Sequence, residues 1–279
     1  MRLFLPQREA VRPVGGLRSQ RLPWTWWLRQ RQRARRWPEP PEGPSYTVPA
    51  PTAFWRLLEG TNGERLDTSG NSHHMHDGTD VAGSSAGRMG GAADFVAEFV
   101  QGLYADDHPR LAPDNGSFSF SLWYSGTTLG VQSSVMLSRY YYDGEEFEAG
   151  FQLGSATYRP YLWIFLDDYP GIYYLNTSGQ YYQNQWHHLV FTFSRANNRA
   201  RLYMNGSLDV EYPNLTAPLR PVYANLMMGI DNDYYTPFDG LMDGVGWFKG
   251  VELTAAHVAE LATGIEYFGG QWNLVAPGS

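Results

Sequence analysis

The chain has 279 residues, enough for one large β domain or two small ones, and its 15% aromatics, 30 Gly and 18 Pro suit many short strands joined by tight turns. It has no Cys, which excludes a disulfide framework and any thiolate metal site. The net charge of −7 is unevenly spread: residues 1–50 carry ten Arg against Glu9, Glu39 and Glu42, or +7, which leaves −14 on residues 51–279.

Residues 1–50 read as a separate, basic, Trp-bearing arm. They hold no apolar run of the kind that forms a secretory signal, and no stretch of the chain approaches the ~20 apolar residues of a membrane span. Pro23 suits a helix start, Trp24, Trp27 and Leu28 fall at i, i+3 and i+4, and Pro38 ends the run, which predicts a short helix over residues 23–36. Nothing in the arm covers that apolar stripe. Trp24, Trp27 and Leu28, with Arg31 and Arg35, are therefore the expected anchor onto other protein subunits of a larger, symmetric or homo-oligomeric assembly. Arg interleaved with Trp also suits nucleic acid, but the −14 on the rest of the chain opposes phosphate, so nucleic acid is not the expected partner. Residues 38–52 read as an extended, Pro-rich linker, and the globular domain is expected over residues 51–279.

Within that domain Phe54 to Leu58 reads as the first strand. The following stretch, Glu59 to Gly91, is rich in Gly, Ser, Asn and His and reads as a long loop, either functional or tied down. Alternation resumes at Phe118, Phe120 and Leu122, and further strands are expected over residues 135–140, 147–153, 161–166 and 172–175, with turns at Asp143-Gly144 and Pro170-Gly171. The clearest signal runs from Gln185 to Pro213. Leu189, Phe191 and Phe193 alternate with His188, Val190 and Thr192, then Leu202 and Met204 alternate with Arg201 and Tyr203. Asn205-Gly206 follows, the pair that most cheaply supplies the two positive φ angles of a type I′ turn, and residues 207–212 return antiparallel. With Asn197-Asn198 as the earlier reversal, three strands form a meander. Residues 224–230 and 240–248 supply the last strands, and Thr254 caps a short helix ending at Leu261.

The Trp186-to-Val190 strand, the Leu202-to-Gly206 hairpin, Phe238-Asp239-Gly240-Leu241-Met242-Asp243 and the closing Leu253-to-Leu261 segment together resemble the laminin-G-like, concanavalin A-like jelly-roll family. Upstream, Phe54-Trp55-Arg56-Leu57, Asp67-Thr68-Ser69-Gly70-Asn71, Ala92-Ala93-Asp94-Phe95 and Phe118 to Trp123 extend the likeness to roughly residues 51–265. The resemblance implies an all-β, antiparallel β-sandwich. It also implies a Ca²⁺ site, because in the family an Asp of the early loop and an Asp of the last strand lie together; here the set would be Asp67, Asn71 and Asp243. Gly244 stands where the family often has a second acid, which lowers the ligand count.

Three further groups invite chemistry. The spacing of His73, His74 and His76 permits a transition-metal site. The acids Asp143, Glu145, Glu146 and Glu148 do not match the paired arrangement of the family's glucanases and read as the exposed flank of a turn. Consecutive tyrosines on a strand point to opposite faces, so Tyr141, Tyr174, Tyr182 and Tyr234, beside Asp231 and Asp233, form the expected glycan- or partner-binding surface. Together these readings describe a non-enzymatic β-sandwich carried on a docking arm. The expected instance is a capsid-decoration or fibre-type protein of a bacteriophage virion, at the particle surface. The alternatives are a carbohydrate-binding adhesion module of a bacterial cell surface and, third, a jelly-roll glycosidase.

Overall fold

The computed structural model describes residues 45–275 except 61–62, 128–133, 143–147, 157, 168–171, 182 and 234–235, with 141, 142, 148, 149 and 172 described by backbone alone. The expected arm helix and its anchor residues Trp24, Trp27, Leu28, Arg31 and Arg35 lie outside the described residues, as do the turns at Asp143-Gly144 and Pro170-Gly171. The chain divides into two units, residues 1–44 and 45–279.

In chain order the strands are β1 (Ala53–Trp55), β2 (His76–Asp77), β3 (Ala82–Gly87), β4 (Gly90–Phe95), β5 (Leu103–Ala105), β6 (Phe118–Gly126), β7 (Ser134–Tyr142), β8 (Glu148–Ala156) and β9 (Arg159–Phe165). They continue with β10 (Ile172–Asn176), β11 (His187–Ser194), β12 (Arg199–Met204), β13 (Ser207–Tyr212), β14 (Leu226–Met228) and β15 (Gly240–Lys249). Helix α1 (Ala255–Leu261) and the hairpin β16 (Ile265–Phe268) and β17 (Gln271–Leu274) close the chain. One sheet runs β13-β12-β11-β6-β15-β4-β3 with β1 also paired to β15, and the other runs β10-β9-β8-β7-β14-β5-β2.

The alternation of β6, β11 and β15 explains why the sheets face each other. Phe118, Phe120, Phe191, Phe193 and Trp247 all turn inward, where Phe151 of the second sheet stacks on Phe120 at 5.6 Å and on Trp247 at 5.6 Å. The opposite face of the first sheet, bearing Val190, Tyr203 and Phe248, is covered by Val258 and Leu261 of α1 and by Ile265. Thr254 caps that helix as expected, accepting from the His257 N–H.

The meander stands where the alternation put it: Leu189 pairs with Met204, and Leu202 pairs with Val210. Asn205 and Gly206 have φ of 50° and 85°, the left-handed pair that the turn requires.

Two readings are corrected. The stretch from Glu59 to Gly91 is not one loop, because it contains β2, β3 and the start of β4; Ala-Gly-Ser-Ser-Ala-Gly carries no apolar alternation and is a strand only because β4 pairs with it. The linker is also shorter than read, since Tyr46 and Val48 pack against the second core and Thr47 bonds through its N–H (2.7 Å) and Oγ1 (2.8 Å) to the Glu260 carboxylate.

Candidate functional site

Strand register lays one row of side chains across the outer face of the second sheet. Tyr174 pairs with Trp163, Trp163 with Gln152, Gln152 with Ser138, Ser138 with Met227, Met227 with Tyr104, and Tyr104 with His76. The middle of this row is covered. Residues 231–233 and 236–237 lie over it: Asn232 Oδ1 accepts from the Tyr140 N–H at 3.1 Å, Gln152 Nε2 donates to Thr236 Oγ1 at 3.5 Å, and Pro237 bridges to Val135. Ser138 and Gln152 are consequently buried.

The two ends of the row remain open. At the β10 edge Tyr174 is 57% exposed and meets Trp163 edge-on, with centroids 5.3 Å apart and planes at 73°. Tyr161 lies on the same side of β9, 5.4 Å from Trp163. Its ring crosses Gly154, where a Cβ would stand 2.6 Å from the Tyr161 hydroxyl. The alternate residues Leu162 and Ile164 turn into the core, so the pattern Tyr-Leu-Trp-Ile-Phe sorts one aromatic face outward. Trp163 was not among the expected binding residues, although this alternation was the signal that could have found it.

The remaining expected binding residues divide. Tyr173 packs on the core and Tyr174 faces out. The Tyr141 side chain, Tyr182 and Tyr234 lie outside the described residues. Asp231 is buried and accepts from Thr236 Oγ1 at 2.7 Å, so it fastens the covering segment. Asp233 is half-buried, and burial, then Asp231, raises its pKa. Of the acids weighed as glycosidase groups, Asp143, Glu145 and Glu146 fall outside the described residues, as does the Glu148 side chain.

Asp67, Asn71 and Asp243 do not fit a calcium ion. Such an ion needs oxygen lone pairs turned toward it. Asp67 Oδ1 instead accepts from the N–H groups of Phe54 (3.0 Å) and Ser69 (2.8 Å), and Oδ2 from Ser69 Oγ (2.9 Å) and the His73 N–H (2.9 Å). Asn71 Oδ1 faces the Arg110 guanidinium at 2.9 Å. Asp243 serves a different turn, accepting from the Met89 N–H at 2.7 Å, and burial pushes its pKa up to about 7. Among the described residues no group of three or more His, Asp or Glu side chains converges as metal ligands, His73, His74 and His76 included.

A family model described as the concanavalin A-like lectin/glucanases superfamily matches residues 101–259, more than half of the chain. The chain belongs to this superfamily. No curated protein matches it. Solved structures that share the superfamily's fold with this chain include the binding domain of botulinum neurotoxin serotype G, 19% identical over 76% of this chain and 50% of that one, with a TM-score of 0.59. The binding domain of Paraclostridial Mosquitocidal Protein 1 is 14% identical over 75% of this chain and 52% of that one, at 0.58. The chain thus spans about half the length of these two binding domains. Domain 4 of AbnA, a GH43 extracellular arabinanase from Geobacillus stearothermophilus in complex with arabinotriose, is 20% identical over 76% of this chain and 98% of that domain, at 0.53.

Proposed function

We propose that the chain is a non-enzymatic binding module whose ligand, a glycan, stacks on Tyr174 and Trp163 at the β10 edge of the second sheet. The observation that carries this reading is the exposed Tyr174 ring braced edge-on by Trp163. Both rings stand on paired strands, so little side-chain freedom remains to be lost when a sugar face covers them. Asp231, in the covering segment, is engaged in holding Thr236. Solved structures of similar fold include two described as binding domains and an arabinanase domain in complex with arabinotriose, which supports a glycan as the ligand class.

The test is calorimetric titration with a panel of oligosaccharides that includes arabinotriose. Tyr174→Ala and Trp163→Ala should each weaken the best ligand about tenfold or more, as loss of a buried aromatic anchor does. Tyr223→Ala, at an 85% exposed ring elsewhere on the surface, serves as the control and should change nothing. Unaltered affinity in both ring variants would remove this face from the function.

The arm supports a second element of the proposal. Its +7 against −14, and the Trp24, Trp27 and Leu28 stripe, fit an anchor that fastens the module to other subunits of a particle, with the sandwich facing outward. A bacteriophage capsid-decoration or fibre-type protein is the instance we propose, with a bacterial-surface adhesion module as its alternative.

A further inference from the structure

At the opposite end of the row from Tyr174, a cleft of about 240 Å³ is lined by His73, His74, His76 and His108, with Glu64 and Asp106 at its side. Four of the seven histidines of the chain meet here. Two of them are fixed by the backbone. His74 Nδ1 accepts from the Asp67 N–H at 2.9 Å, and His108 Nδ1 accepts from the Arg110 N–H at 3.1 Å. A neutral imidazole whose Nδ1 lone pair is used in this way carries its proton on Nε2. Each ring therefore has an Nε2–H donor to offer, not a lone pair. A transition-metal ion needs the bare nitrogen, so the arrangement disfavours a metal and favours a ligand that brings hydrogen-bond acceptors.

The third ring supplies an independent observation. His73 is only 9% exposed, lies 4.6 Å from His108, and has its buried Nε2 without a hydrogen-bond partner among the described residues. A polar nitrogen buried in this way gains most from an acceptor delivered by a ligand.

We propose that the cleft is a second ligand site, for a small oxyanion such as the carboxylate of an acidic sugar or a free phosphate, and that it fills as the pH falls. The surrounding charges explain the pH dependence. On the side of the Asp67 loop stand Glu64, 3.8 Å from His76 Nδ1, and Asp67 itself. On the side of β5 stand Asp106, 3.6 Å from His76 Nε2, and Asp107, which is held by Arg139. Arg110 is the neighbouring cation and is bonded to Asn71. With the rings neutral, these acids oppose an anion. A proton taken up by His73 makes its N–H groups charge-assisted donors and offsets these acids, while His74 and His108, whose Nδ1 atoms accept backbone N–H groups, offer their Nε2–H. Burial, then His108, lowers the pKa of His73, so a bound anion is what would let that ring take its proton.

The full chain is titrated with glucuronate, with inorganic phosphate and with glucose as a neutral control, at about pH 5.5 and about pH 7.5. At least one of the two anions should bind at the lower pH, with affinity about tenfold or more weaker at the higher pH, and glucose should not compete. Glucuronate alone would assign the sugar-borne carboxylate, and phosphate alone the free ion. In His74→Asn and His108→Asn the amide oxygen can take the place of Nδ1 as acceptor of the same backbone N–H, which keeps the loop while removing the Nε2–H. Each should cost about tenfold or more in acid. Tyr174→Ala should leave the anion affinity unchanged, so this site and the glycan face stand or fall separately. Neither anion binding at the lower pH, or affinity indifferent to both Asn variants, would overturn the proposal.

Discussion

Two buried ionisable side chains around the first sheet pull stability in opposite directions with pH. Burial, then Arg88, holds His188 at about 3, far below its ordinary 6.5, while Nε2 meets Ser121 Oγ at 2.9 Å. The unfolded chain takes up a proton near pH 6.5 that the folded state refuses. The stability contributed by the neutral ring is therefore present above about 6.5 and falls away as the pH drops toward 3. His188→Gln should flatten this acid limb of a melting-temperature profile, and an equally steep limb in the variant would assign it elsewhere. Asp243 behaves in the reverse sense. Its folded pKa of about 7 lies above the ordinary 3.8, so the folded state keeps a proton that the unfolded chain releases, and stability is lost as the pH rises through 7. Among the described residues its Oδ1 has no hydrogen-bond partner, and Glu266 is close enough to add to the shift. Asp243→Asn keeps an acceptor for the Met89 N–H and removes the buried charge. It should raise the melting temperature at about pH 8 and do little at about pH 5. A loss of stability at both would show that the carboxylate itself is needed.

Among the elements, the β12–β13 hairpin carries the sharpest backbone requirement. Gly206 has φ of +85°, and an added Cβ would stand 3.0 Å from the Ala262 Cβ behind α1. Gly206→Val should cost about 1–2 kcal/mol, read as a lower urea midpoint with an unchanged m value. An unmoved midpoint would mean that the turn carries no such strain. This hairpin was legible because two alternating runs flank Asn-Gly. The strand β3 was not, because its six small residues have no pattern of their own and take their register from β4. The same applies to β16 and β17, where the pairing of Tyr267 with Trp272 makes the hairpin.

At the scale of the whole molecule, the place where the sandwich begins is set by contacts distant in sequence. Thr47 and Val48 bond to Glu260, and Trp272 Nε1 donates to the Val48 carbonyl at 2.8 Å. A chain starting at Ser45 should melt as the full-length protein does, whereas one starting at Pro51 should lose on the order of 1–2 kcal/mol with those bonds and the burial of Val48. If the arm is the anchor we propose, the Ser45 form should also fail to co-sediment with the particle, and its full incorporation would move the attachment onto the sandwich. The sequence by itself determined the all-β class, the meander, the capped helix and the family, since alternation, turn residues and caps are local properties that each segment carries within itself. Only the tertiary structure decided that Asp67 is saturated by backbone N–H groups, that Trp163 braces Tyr174, and that His108 joins His73 across 35 residues of chain. These facts depend on which strands become neighbours and which groups burial leaves unpaired, and no single segment encodes them.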